Sequence, residues 1–166
     1  MLAIGIDPGT AITGYGVVEE GSDGSLTVID FGSIETSADD SMPERLMQLY
    51  KQLKELFTLH HPESGAVEKL FFARNVRTAL SVGQARGVVL LALAEAGVPV
   101  AEYSPNEIKL AVAGYGGADK RQVQKMVQAL LELDDIPQPD DAADALAVAI
   151  CHLHSARLRS LGEIIE

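Results

Sequence analysis

Three stretches of strand-forming residues follow one another at the start of the chain, and this succession limits the possible folds more than any other feature. Leu2–Asp7 is mostly apolar, the pattern of a strand covered on both faces. Pro8, Gly9 and Thr10 supply a turn. Ile12–Glu19 then reads as a second strand, with Gly14 and Gly16 two apart and therefore on one face. Gly21-Ser22-Asp23-Gly24 closes a hairpin onto a third strand near Leu26–Ser33. Beyond it the pattern alternates. Leu46, Leu49, Leu53 and Phe57 mark an amphipathic helix, with Ser41 as its cap and Pro43 in its first turn. Gly65–Leu70 is a short buried strand, Val76–Ala96 a long helix and Val98–Tyr103 a fifth strand. Helices over 105–112, 119–133 and 140–157 finish the chain. Hairpin strands followed by alternating helix and strand predict an α/β fold, a mixed five-stranded sheet with helices on both faces. No repeat, linker or low-complexity tract interrupts it, so one domain is expected over 1–158, with a short tail at 159–166.

Charge bears next on what such a domain can bind. The net charge is −11, which at first disfavours a nucleic-acid partner. Its distribution is uneven. Residues 1–68 hold twelve acids against three bases, whereas 69–86 hold Lys69, Arg74, Arg77 and Arg86 and no acid. Lys109, Lys120, Arg121 and Lys125 form a second basic stretch. Screening acts over about 8 Å at physiological salt, so a polyanion responds more to such patches than to the distant total. The single cysteine, Cys151, excludes an internal disulfide framework. The longest apolar run, Val88–Ala94, is far below the ~20 residues that span a bilayer, and no basic leader precedes the first strand. A cytoplasmic protein with no membrane partner is expected.

The helix at 76–96 is apolar nearly all round in its later half, which requires contacts on both sides. Gly83 and Gly87, four apart, let another helix come close. Two occupants fit: the partner helix of a homodimer, or a second helix of the same chain.

Four carboxylates then stand out. Asp7 ends the first strand before a Pro-Gly turn, where an Asx turn also explains it. Glu68 interrupts an apolar strand and is costly to bury unpaired, so it should face a cleft, a metal or a cation. Asp141 and Asp144 project from one face of a helix's first turn, where dipole stabilisation also accounts for them and for Asp140. Adjacent strands and a closely packed last helix would cluster them, and the alanines at 142, 143, 145, 147 and 149 allow that approach. Two carboxylates about 5 Å apart repel by roughly 3 kcal/mol at an effective dielectric of 20. Several in one pocket must share protons or bind cations. An all-oxygen donor set favours Mg²⁺ or Mn²⁺ over zinc, and a pair of such ions suits phosphoryl transfer.

These residues match a known family in order and spacing. Gly5-Ile6-Asp7-Pro8-Gly9-Thr10, Ala66-Val67-Glu68 with Phe71 following, Ala73-Arg74-Asn75, Gly83-Gln84-Ala85-Arg86-Gly87, Gln122-Val123-Gln124 and Asp141-Ala142-Ala143-Asp144-Ala145-Leu146-Ala147 together resemble the RuvC-type Holliday junction resolvases along nearly the whole chain. The resemblance implies an RNase H-like fold and a homodimer. It also implies symmetric, metal-dependent nicking of two opposing strands of four-way junction DNA in recombination and repair, alongside a branch-migration motor. By the same resemblance Asp7, Glu68, Asp141 and Asp144 are the catalytic, metal-binding carboxylates, holding two Mg²⁺ for which Mn²⁺ substitutes. Arg74, Asn75, Lys109, Lys120 and Arg121 would contact DNA, and Phe71, or its neighbour Phe72, would stack on a base near the crossover.

Three features depart from the family pattern. The sequence pI is near 4.7. The tail lacks the basic extension of many relatives, and Lys69 follows the strand acid where relatives often carry a neutral amide. A competing reading treats the Asp7-Pro8-Gly9-Thr10 turn as the phosphate cradle of an actin- or Hsp70-type ATPase lobe. Such ATPases need two lobes around the nucleotide, and the Glu68 and Asp141/Asp144 carboxylates favour the nuclease.

Overall fold

A computed structural model describes residues 1–70 and 76–163. The elements, in chain order, are β1 (Leu2–Asp7), β2 (Ile12–Glu20), β3 (Leu26–Glu35), α1 (Met42–His60), β4 (Ser64–Glu68), α2 (Val76–Glu95), β5 (Val100–Tyr103), α3 (Pro105–Ala113), α4 (Lys120–Leu130) and α5 (Asp140–Glu163). The five strands make one sheet in the order β3-β2-β1-β4-β5. β1, β2 and β3 pair antiparallel, while β4 lies parallel to both β1 and β5. The mixed five-stranded sheet predicted from the sequence is therefore present.

Helices cover both faces. Ile4, Ile6, Val17 and Val67 pack with Leu49, Leu53 and Phe57 of α1 and Ala85, Val89 and Leu93 of α2. On the other face Ala3, Val18 and Ala66 pack with Ile108, Val123 and Val127 and with Leu146, Ile150 and Leu153 of α5. Side chains alternate along a strand, so Gly5 and Asp7 share the α5 face with Ala3. Gly5 is paired with Gly16 and Asp7 with Gly14. A Cβ on Gly5 would strike the Ala145 carbonyl, and one on Gly14 would strike the Asp141 carbonyl. Glycine is required at both because helix backbone lies directly on strand backbone there. The alanines of α5 complete the fit, since Ala142, Ala143, Ala145, Ala147 and Ala149 are all buried.

Some boundaries differ from expectation. β5 begins at Val100 because Pro99 has no N–H to give, although its carbonyl accepts from the Gly65 amide at 2.8 Å. β4 ends at Glu68, yet the Lys69 amide still donates to the Tyr103 carbonyl at 2.8 Å. α4 stops at Leu130 because Glu132 takes a positive φ of 51°. α5 continues past 157 to Glu163. Cys151 is a free, buried thiol, pushed up to about 11 by that burial.

Candidate active site

Register places the first two carboxylates. Ile6 and Val67 are partners on β1 and β4, so Asp7 and Glu68, one residue further on, end adjacent parallel strands on the α5 face. Strands lie about 4.8 Å apart, which fixes the two backbones as neighbours. The close seating of α5 on Gly14 then brings its first turn, with Asp141, over the strand that flanks Asp7. Asp144 follows one turn later. The site therefore draws on β1, β4 and α5, held together by residues without bulk.

The electrostatics report the clustering. Burial above all, then the charges of Asp144, Glu68 and Asp141, push the Asp7 carboxyl up to about 7, against a smaller opposing pull from Lys120. Glu68 is raised by burial and then by Asp144, with Lys109 opposing. Asp144 is raised by burial, with the Lys120 hydrogen bond and charge opposing. Glu68, Asp141 and Asp144 thus each perturb Asp7, and Asp144 also perturbs Glu68.

Lys120 is the internal counter-charge. Its Nζ donates to Asp144 Oδ2 at 3.0 Å and stands 3.3 Å from Asp140 Oδ2. Gln124, one turn along α4, donates from Nε2 to the other Asp140 oxygen at 3.1 Å. Asp140 therefore clamps α4 to the start of α5 and aims the lysine. The sequence reading gave Asp140 only a helix-dipole role. The i, i+4 spacing of Lys120 and Gln124 was the available signal. Glu68, Lys109, Lys120 and Asp144 line an open cleft of about 220 Å³ between β4, α3, α4 and α5. Arg121 is exposed on α4 and is not in its walls. Phe71, Arg74 and Asn75 lie outside the described residues.

Among the described residues, no three acid, histidine or cysteine side chains converge as tightly as the ligands of one ion. The donor set nevertheless fits a hard divalent cation. All of its atoms are carboxylate oxygens, and the excess negative charge is what such a cation would neutralise.

Comparisons with known proteins point the same way. Residues 3–152 match the family model described as crossover junction endodeoxyribonuclease RuvC. A protein of that name from Roseiflexus sp. (strain RS-1) is 61% identical over 92% of this chain and 90% of its own length. The solved structure of Thermus thermophilus RuvC superposes with a TM-score of 0.89 at 39% identity, covering 95% of this chain and 96% of that one. The T. thermophilus protein in complex with a Holliday junction substrate superposes with a TM-score of 0.87 at 37% identity, with the same coverage.

Proposed function

This chain belongs to the RuvC family of crossover junction endodeoxyribonucleases, and from that premise we propose how its own residues carry out the reaction. It is a Holliday junction resolvase, an endonuclease that binds four-way DNA junctions in recombination and repair. Asp7, Glu68, Asp141 and Asp144 are the catalytic carboxylates and would hold two Mg²⁺, with Mn²⁺ as a substitute. The observation that carries this assignment is the shared field in which burial and three neighbouring acids raise Asp7. When bound, such ions supply an activated water and stabilise the leaving 3′ oxygen. The chain's residues do the rest. Asp7 and Glu68 hold one side of the site on rigid strands, while Asp141 and Asp144 close it from the helix. Lys109 and Lys120 neutralise phosphates beside the scissile bond, Lys120 aimed there by Asp140. Arg74, Asn75 and Arg121 extend the DNA contact, and Phe71 stacks at the crossover. The ATPase reading finds no support in a match that runs from residue 3 to residue 152 of a nuclease family.

An end-labelled four-way junction and its linear duplex, each with Mg²⁺, Mn²⁺ or EDTA, test the reading directly. Paired symmetric nicks near the crossover, only on the junction and only with metal, are expected. Equal cutting of the duplex would refute junction specificity.

The working unit we propose is a homodimer, which places two such sites on opposing strands. Leu80 and Leu91 of α2 are 66% and 61% exposed, and among the described residues nothing outside α2 would lie within 4 Å of a Cβ on Gly87, on the same stripe. α1 shares a core with Ala85, Val89 and Leu93 on another side of α2 and reaches Glu95 through Tyr50 and Lys54, so the chain's own α1 does not cover that stripe. Leu91→Glu should convert a dimer to a monomer by light scattering at micromolar concentration. A wild-type chain running only at 17.7 kDa would remove the seam. A branch-migration motor as partner and a cytoplasmic location complete the proposal; among the described residues no helix is long and apolar enough to cross a membrane.

A further inference from the structure

Of the four tyrosines, three have a partner for the hydroxyl. Tyr15 reaches Asp30, Tyr50 reaches Glu95, and Tyr103 meets His152 at 3.0 Å. Tyr115 differs. It is 64% exposed, belongs to neither hydrophobic core, and among the described residues its hydroxyl has no hydrogen-bond partner. Among the described residues the ring packs only on its own loop.

The loop around it is nevertheless built. Gly114 ends α3 in the left-handed region at φ 71°, and the Tyr115 carbonyl accepts from the Ala118 amide at 3.1 Å. The Tyr115 ring lies back over Gly117, where a Cβ would stand 2.5 Å from the ring carbon Cζ and from the hydroxyl. A Cβ on Gly116 would strike the Asn106 side chain, so the loop folds down on the start of α3. Asp119 then caps α4 and leads straight into Lys120. The loop that carries the ring therefore runs from its contact with Asn106, next to Pro105, to Lys120, and Pro105, Lys109 and Lys120 line the cleft. A fixed, exposed aromatic loses little freedom on binding.

We propose that Tyr115 is a DNA-contact residue of this resolvase. Its ring packs against a sugar or base of the same strand whose phosphates reach Lys109 and Lys120. The inference rests on the phosphate-binding role given above to those two lysines. The hydroxyl is dispensable in this arrangement and the ring is not, because aromatic stacking on nucleotides needs only the π face.

The test uses the full chain carrying Asp7→Asn, so that the junction is bound without being cut, and a fluorescein-labelled four-way junction read by anisotropy. Adding Tyr115→Ala should raise Kd about tenfold, while Tyr115→Phe should stay within about twofold. The chain has no tryptophan, so Tyr115→Trp creates a single emitter at the proposed contact. Its emission should be quenched as junction is added. An unchanged Kd for Tyr115→Ala in a protein of unchanged Tm, or an unchanged Trp emission at saturating junction, would overturn the inference while leaving the resolvase assignment intact. If the Asp7→Asn parent itself does not bind the junction, Asp7 is a fold residue, and the same Tyr115 comparison is read on the otherwise unaltered chain in EDTA.

Discussion

Asp7→Asn should abolish junction cleavage, by at least about a thousandfold, while leaving junction affinity in EDTA within about threefold of the unaltered protein. A bound cation contributes several kcal/mol of charge stabilisation to the transition state, and each 1.36 kcal/mol is tenfold in rate. The same variant should behave unusually in stability. The Asp7 carboxyl sits at about 7 in the folded chain against 3.8 otherwise, so the folded state keeps a proton that the unfolded state has lost. That proton contributes stability fully present below about pH 4, and the contribution is lost as pH rises through about 7. Converted at 1.36 kcal/mol per unit, the loss is up to about 4 kcal/mol. In EDTA at pH 8 the asparagine variant should therefore melt at least about 5 °C above the unaltered chain, and at pH 4 the two should coincide. Added Mg²⁺ should narrow the gap by stabilising only the carboxylate form. Loss of binding together with cleavage would make Asp7 a fold residue instead.

Gly14→Ala carries the second large effect. The added methyl would meet the Asp141 carbonyl, which is helix backbone and has no rotamer through which to yield. Overpacking of this kind costs about 3 kcal/mol, which for a chain of this size lowers Tm by roughly 6–12 °C. The helix moves off the strand, and Asp141 and Asp144 move with it. Cleavage at 20 °C, measured where the variant remains folded, should fall by about a hundredfold or more, because ångström-scale misplacement of catalytic groups has that cost. A variant with normal cleavage would show that α5 accommodates the methyl without shifting its carboxylates.

Much of this arrangement is legible from residue types. Gly14 and Gly16 on one strand face, and five alanines along the last helix, announce that helix and strand backbones touch. The order of strands and helices announces the layers. What the sequence does not carry is which helix atom lies over which glycine, since small residues permit many offsets. Lys120 was legible as a cation near DNA. Its pairing with Asp144 and Asp140 was not, because a helix start followed by basic residues looks the same when solvated. The Gly83/Gly87 stripe leaves two occupants open, and α1 proves to lie on another side of α2, with Ala85, Val89 and Leu93. Boundary errors fall where a local feature overrides periodicity, at Pro99 and at the positive φ of Glu132.

The proposed catalytic carboxylates come from the first strand, the fourth strand and the last helix, so the site spans almost the whole length of the polypeptide. Such contacts between sequence-distant segments are the slow, late ones in folding. During synthesis, at about 5–20 residues per second, Asp7 emerges early and waits for α5 to be made and seated. A partly synthesised chain holds strand acids but no assembled site, and a chain nicked before α5 should be inert. A resolvase whose proposed carboxylates are divided in this way would acquire its activity only with completion of its own fold, and proteolytic removal of one terminal helix would be enough to silence it.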